Sequence, residues 1–113
     1  MTRDQFRALA LALPETVESE HMGHPDFRVR GKVFATLGPA GAESGMVKLT
    51  AEQQAAFMRG EPDVFQPCSG AWGRGGATSV RLGAASAVTL RQAVIAAWRN
   101  TAPEGLGQSF RGE

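Results

Sequence analysis

The sequence predicts an α+β domain, a two-layer sandwich in which about three helices cover one face of an antiparallel sheet. Two observations carry this prediction. Residues 24–37 have the pattern strand, tight turn, strand, which is typical of a β-hairpin. Thr2 and Thr50 are each followed three residues later by Gln, the capping-box pattern that opens a helix. Because helices separated in this way can all cover one face, the other sheet face should be open to solvent or to a partner.

The first half of the chain begins with a helix and a short strand. Pro14 ends the helix, and residues 16–22 alternate weakly, which predicts a strand leading into the hairpin. The apolar residues of the helix recur at helical spacing and form one stripe, Phe6, Leu9, Ala10 and Leu13.

The hairpin has two candidate turns, Arg30-Gly31 and Gly31-Lys32, since Gly31 accepts a positive φ. Both turns predict the same division of side chains, because the turn changes the pairing and not the faces. One face carries Phe27, Val29, Phe34 and Thr36, and the other carries Arg28, Val33, Ala35 and Leu37.

The second half adds two helices and further strands. Residues 46–49 predict a strand with Val47 and Leu49 on one face, and a helix then runs from Thr50 to near Gly60. Residues 64–76 predict an irregular connection, followed by a strand at 77–82 and a helix at 88–100. Residues 1–103 thus form one domain, and 104–113 are expected to be a flexible tail. The buried stripe of the last helix is Leu90, Val94, Ile95 and Trp98.

Composition narrows the class of protein. The chain has 113 residues and a net charge of +1, which suits one globular domain and gives no overall attraction to nucleic acid or membrane. Cys68 is the single cysteine, so neither an internal disulfide nor a Cys-based metal site is expected. No segment approaches the length of a membrane span, and we predict a cytoplasmic protein.

Six short motifs in a fixed order give the chain a resemblance to the MmcQ/YjbR family over roughly residues 6–103. The resemblance implies a compact fold with three helices on one side of an antiparallel sheet, in agreement with the prediction above. It also implies a DNA-binding protein, which is the name that this family carries. The motifs are Leu13-Pro14-Glu15, residues 23–29, residues 31–37, Val47-Lys48-Leu49, Gly70-Ala71-Trp72-Gly73 and Ala97-Trp98-Arg99.

The candidate catalytic and metal sites are weak. His21 and His24 lie three apart, but Pro25 excludes a helical pair of metal ligands there. Residues 73–76 are glycine-rich but lack the Lys-Ser/Thr ending of a phosphate loop. Cys68 and the serines have no sequence context for a nucleophile. We therefore predict no catalytic residue, no metal, no cofactor and no enzymatic activity.

Two residues have alternative roles. His24 is either a buried or capping residue at the start of a strand, or a ligand contact. Trp72 is either part of the core or an exposed stacking platform, and the flanking glycines favour the core by suggesting tight backbone packing around the indole.

A basic open face is the remaining candidate site. If the apolar positions of the strands pack under the helices, alternation sends Arg28, Lys48 and Arg81 to the opposite face. Such a face can hold phosphates without reading bases, although ordinary solvated positions, partly neutralised by nearby acids, are the competing interpretation. The candidate nucleic-acid contacts, including the loop and turn positions, are Arg28, Arg30, Lys32, Lys48, Arg74 and Arg81.

The predicted function is a non-enzymatic module that binds double-stranded DNA weakly and without sequence specificity. The alternative is a protein-interaction or small-ligand module that uses the open sheet face and the region of Trp72, with His24 and Trp72 as contacts. The sequence leaves the oligomeric state open and favours a monomer.

Overall fold

The computed structural model describes residues 1–110, and within that range six strands form one antiparallel sheet. The strands are β1 (Thr16–His21), β2 (His24–Val29), β3 (Lys32–Leu37), β4 (Ser44–Lys48), β5 (Phe65–Pro67) and β6 (Ala77–Arg81). Their order across the sheet is β1-β2-β3-β4-β6-β5, so β1 and β5 are the edges. Each pair of neighbours is antiparallel, as predicted from the short turns.

Five α-helices accompany the sheet in the same range. They are α1 (Arg3–Leu11), α2 (Ala51–Gly60), α3 (Gly70–Arg74), α4 (Ala87–Thr101) and α5 (Glu104–Ser109). Both predicted capping boxes form, with the hydroxyl of Thr2 accepting from the amide of Gln5 and that of Thr50 accepting from the amide of Gln53. These caps satisfy amides that the first helical turn leaves free. The helix starts are therefore encoded locally.

One face of the sheet, which we call the covered face, packs under α1, α2 and α4. Trp98 of α4 is fully buried, and its indole Nε1–H donates to the carbonyl of Pro14 at 3.1 Å. Phe57 of α2 packs against Phe65 of β5, with ring centroids 5.1 Å apart. This arrangement confirms the predicted two-layer α+β fold with three helices on one face. The largest buried side chains are Trp98, Phe6, Phe27, Phe34, Phe65, Leu37, Leu82 and Leu90.

The predicted faces of the hairpin are wrong in part, because β3 contains a bulge. Phe27 pairs with Ala35, whereas the next residue, Arg28, pairs with Val33, so Phe34 is an extra residue in β3. The bulge buries Phe34 and Ala35 in succession and reverses the alternation that follows. Leu37 therefore lies in the core, and Thr36 lies on the open face. The turn is Arg30-Gly31, with φ values of 52° and 82°.

The segment 64–76, predicted as an irregular connection, contains β5 and α3. β5 has three residues, and its pairing of Phe65 with Val80 of β6 depends on a strand that follows later in the chain. α3 has five residues. Elements this short have no periodicity to read, so their conformation is set by tertiary contacts.

The end of the described chain contains a helix that the sequence did not predict. Residues 104–109 form α5, and Phe110 packs against Trp98 with ring centroids 5.3 Å apart. Arg99 donates to the carbonyl of Phe110 at 3.0 Å. Flexibility of the segment stays a prediction, and its last part, 111–113, lies outside the described residues.

Candidate ligand-binding groove

The open face of the sheet carries a groove, which we define by the four residues common to two adjoining cavities: His21, Thr36, Met46 and Trp72. The cavities have volumes of about 420 Å³ and about 320 Å³. A row of paired residues crosses the sheet here, from Asp26 of β2 through Thr36 and Met46 to Ser79 of β6. Because partners in an antiparallel ladder share a face, this row forms the floor of the groove.

Asp26 is fully buried although it lies on the open face. Arg28 covers it and donates twice, from Nε to Oδ1 at 2.8 Å and from Nη2 to Oδ2 at 2.9 Å. These charge-assisted hydrogen bonds from Arg28, supported by one from His21, hold the pKa of Asp26 below its ordinary value despite its burial. Asp26 is therefore ionised at neutral pH, and the guanidinium of Arg28 is fixed in one orientation.

His21 completes this cluster from the neighbouring strand. Its Nδ1 lies 2.6 Å from Oδ2 of Asp26. An ionised carboxylate only accepts hydrogen bonds, so Nδ1 carries the proton and donates to Asp26. The Nε2 atom of His21 is then left for other contacts, and the side chain, 47% exposed, lines both cavities. The Asp26 cluster, defined as Asp26, Arg28 and His21, thus forms one end of the groove.

Trp72 lies on α3 and lines both cavities, with 55% of its surface exposed. The prediction that it belongs to the core is wrong. A Cβ at Gly73 would lie 1.6 Å from the carbonyl oxygen of Cys68, and one at Gly76, where φ is +120°, would lie 2.0 Å from that of Leu49. The two glycines therefore let backbone segments approach each other closely, and the indole of Trp72, which precedes Gly73, faces the groove.

Comparison with known proteins identifies the family. The YjbR family model matches residues 11–100, which is most of the chain. The chain belongs to the YjbR family. This finding confirms the resemblance drawn from the six motifs. The family is not known as a family of enzymes.

A solved structure gives independent support for the YjbR fold. The chain is similar to the crystal structure of Deinococcus radiodurans protein DR2400, described as a DUF419 domain, with a TM-score of 0.75. The similarity covers 88% of this chain and 77% of that one, at 17% sequence identity. At this identity the likeness establishes the fold alone. No curated protein matches the chain.

The YjbR sheet separates the three basic residues predicted for the open face. Arg28 and Lys48 line the same cavity. Arg81 is also on this face, but it pairs with Ser44, whereas Lys48 pairs with Ala77 at the other end of β6. Four residues of strand span about 13 Å, so Arg81 lies far from Lys48, and it lines neither cavity of the groove. It lines a neighbouring cavity that shares Ser44 and Ser79 with the larger one and that also contains Glu43 and Asp63.

The other predicted nucleic-acid contacts lie on the rim of the sheet. Arg30 is in the hairpin turn and forms a bidentate ion pair with Glu15. Lys32 is exposed at the start of β3, and Arg74 is exposed at the end of α3. The six candidates therefore do not form one continuous basic surface.

His24 and Cys68 both line the larger cavity. His24 is half-buried, and its ring stacks on His21 with centroids 6.1 Å apart. Burial raises the pKa of the Cys68 thiol, so the thiol is neutral at pH 7.

Among residues 1–110, no three His, Cys, Asp or Glu side chains are grouped so that they could hold a metal ion. In the same range, no helix combines the length and apolar character needed to cross a membrane.

The functional residues that sequence reasoning missed are Asp26 and His21. Their signal was the dipeptide Met22-Gly23, which turns the chain with φ values of 50° and 81°. A two-residue turn at that point sets His21 opposite His24 and therefore brings Asp26, two residues along β2, within reach of the His21 ring.

Proposed function

We propose that this YjbR protein is a non-enzymatic binding module that holds a small ligand in the open-face groove. The observation that carries the proposal is Trp72, a large apolar side chain left half-exposed on the wall of two adjoining cavities. Small-molecule sites are typically clefts of about 300–1,000 Å³ with apolar and aromatic walls and a few polar groups. Met46 supplies apolar floor, and the Asp26 cluster supplies fixed polar groups.

The chemistry of the groove favours binding over catalysis. Arg28 donates one hydrogen bond to each oxygen of Asp26, so the carboxylate balances the charge of the guanidinium and does not serve His21 alone. A nucleophilic cysteine needs a thiolate, and burial opposes ionisation of Cys68. The residues that line the groove are therefore suited to hold a ligand in place.

The test uses the two indole N–H groups of the chain as reporters in a ¹H–¹⁵N NMR screen of a metabolite library. Trp72 lines the groove, whereas Trp98 is fully buried and hydrogen-bonded to Pro14, so it is an internal control. We expect ligands of the groove to shift the Trp72 signal and to leave the Trp98 signal in place. Shifts at neither indole, or binding that persists in Trp72→Ala and perturbs only the helices, would contradict the proposal.

Double-stranded DNA is the second candidate partner. The observation in its favour is that Lys32, Lys48 and Arg81 have no carboxylate within ion-pair distance among residues 1–110. Because no carboxylate neutralises them, these cations are available to bind phosphate. Binding through them would be weak, would fall steeply with salt, and would depend little on base sequence.

Fluorescence anisotropy of a labelled duplex tests this candidate. We expect the triple variant Lys32→Gln, Lys48→Gln, Arg81→Gln to weaken binding and to lower the log–log salt slope by about one unit for each lost phosphate contact. The matched control is Arg59→Gln with Arg91→Gln, on α2 and α4 of the other layer. Equal losses in both variants, or no binding by the wild type at low salt, would rule out the open face as a DNA site.

A further inference from the structure

We infer that the ligand of the open-face groove is a small anion carried on a flat aromatic ring, with the anion at Arg28 and Lys48 and the ring on Trp72. This inference rests on the proposed function and names the class of ligand for the same groove. It follows from how Arg28 is held, from the charge at that end of the groove, and from the position of the indole.

Arg28 is positioned to receive an anion. A guanidinium has five N–H donors, and Asp26 takes two of them. The side chain is 33% exposed and lines the smaller cavity, so the remaining donors are accessible from the groove. Because the Asp26 contacts fix the plane of the guanidinium, an oxyanion meets donors that are already oriented.

The charge at this end of the groove is positive. Asp26 compensates Arg28, and Lys48 lines the same cavity with no carboxylate within ion-pair distance in the described part of the chain. The ammonium of Lys48 is therefore a positive charge in excess at this end of the groove. An anion of low charge, such as a phosphate monoester or a carboxylate, would balance this excess.

The other wall of the smaller cavity is the indole of Trp72. An exposed indole face beside a cavity accepts a flat ring by stacking, a contact that tolerates many ring types. Met46, 5% exposed, gives an apolar floor beneath it. A volume of about 320 Å³ has room for a ring with one anionic group. A base that remains stacked inside a duplex cannot use this wall.

Four probes separate the two halves of the ligand and the two sources of its charge. Adenosine 5′-monophosphate carries ring and phosphate, adenosine the ring alone, and ribose 5-phosphate the phosphate alone. 2-Naphthoate carries a ring and a carboxylate. Calorimetric titration of the folded protein gives an affinity for each, and quenching of Trp72 fluorescence, with Trp98 buried as reference, reports whether the ring occupies the groove.

We expect a probe with both parts to bind at least about tenfold more tightly than adenosine or ribose 5-phosphate. Lys48→Gln should weaken the charged ring probe about tenfold and leave adenosine unchanged, and Trp72→Ala should weaken both. Arg59→Gln on the other layer is the matched control and should change neither. A preference for the nucleotide over naphthoate would assign the anion as phosphate, and the reverse as carboxylate.

Failure of this inference is distinguishable from failure of the proposed function. If library compounds shift the Trp72 indole but neither charged ring probe binds better than adenosine, the ligand class is wrong and the groove remains a ligand site. If the charged probes bind without quenching Trp72, and Lys48→Gln has no effect, the anion lies elsewhere and the inference is overturned. If neither experiment perturbs Trp72, both proposals fall together.

Discussion

The two faces of the sheet bury different kinds of side chain. Under the helices the buried residues are predominantly apolar, and Phe34 and Trp98 have no exposed surface. On the open face the fully buried residue is a carboxylate, Asp26, covered by Arg28 and His21. The same sheet thus carries a hydrophobic core on one side and a hydrogen-bonded ionic cluster on the other.

This difference suggests that one face mainly stabilises the folded protein and that the other mainly binds ligand. Burying a large apolar side chain stabilises the folded state by about 1.5–3 kcal/mol. The net contribution of a buried ion pair is smaller, because desolvation of the two charges offsets their attraction, although removal of one partner alone is costly. The covered face should therefore account for most of the free energy of unfolding, and the open face should account for ligand contacts. Variants on the two faces can break or sharpen this division.

The largest expected effect is on the covered face. Phe34→Ala or Trp98→Ala should each lower the free energy of unfolding by roughly 3–5 kcal/mol, because each leaves a cavity in a close-packed core. Both residues are fully buried, as the sequence pattern predicted. Urea denaturation of the variants, followed by circular dichroism, measures the change.

Trp72→Ala is the matched comparison, because it removes the same side chain from the other face. Trp72 is 55% exposed, so its loss should cost less than about 1 kcal/mol. Its effect should be on ligand binding instead. Similar destabilisation by Trp72→Ala and Trp98→Ala would contradict the assignment of stability to the covered face and of ligand contacts to the open face.

Much of the covered face could be predicted from the sequence, because its signals are local. Capping boxes at Thr2 and Thr50 marked two helix starts, and helical spacing marked the buried side of α4. The bulge in β3 could not be predicted in this way. Its extra residue, Phe34, has the same apolar character as its neighbours, and only pairing with β2 reveals that alternation is broken.

An intermediate effect is expected at the Asp26 cluster. Asp26→Asn replaces a carboxylate by an amide of the same shape and weakens the hydrogen bonds from Arg28 and His21. We expect a loss of about 1.5–3 kcal/mol in the free energy of unfolding at neutral pH, the typical contribution of hydrogen bonds to a charged group. Binding of a charged ring probe should weaken as well, because Arg28 loses its fixed orientation.

The contribution of Asp26 to the free energy of unfolding should depend on pH. Hydrogen bonds from Arg28 hold the pKa of folded Asp26 below that of the unfolded chain, which is about 3.9. The unfolded chain therefore takes up this proton first as the pH falls. The contribution of Asp26 is complete above about pH 5 and is lost as the pH drops through the lowered pKa.

The difference in stability between wild type and Asp26→Asn should accordingly shrink below about pH 4, as the carboxyl is protonated first in the unfolded chain and then, at its lowered pKa, in the folded protein. Asp63→Asn, at an exposed carboxylate, is the control and should change stability by less than about 0.5 kcal/mol. A difference that stays constant with pH would show that the loss at Asp26 does not come from its charge.

Less of the groove than of the fold could be predicted from the sequence. Alternation correctly assigned Arg28 and Lys48 to the open face. Whether basic residues act together depends on strand order and on nearby carboxylates, neither of which alternation reports. Asp26 compensates Arg28, and Glu15 compensates Arg30. The exposure of Trp72 could not be predicted either, because the glycines that follow it pack against the backbone of Cys68 and Leu49 and not around the indole.

The smallest expected effect is at Cys68, which lines the larger cavity but not the smaller one, where Arg28 and Lys48 lie. Cys68→Ser should change the free energy of unfolding by less than about 1 kcal/mol, because the residue is only half-buried and the substitution keeps its size. Binding of a charged ring probe should be unchanged.

Alkylation tests the same residue. Since burial raises the pKa of the Cys68 thiol, iodoacetamide should modify Cys68 at pH 7 more slowly than it modifies a free thiol of ordinary pKa, about 8.5. Mass spectrometry of the intact protein over time measures that rate. Rapid alkylation of the folded protein, or loss of binding in Cys68→Ser with stability preserved, would mean that the thiol takes part in the chemistry of the groove and that the open face does more than hold a ligand.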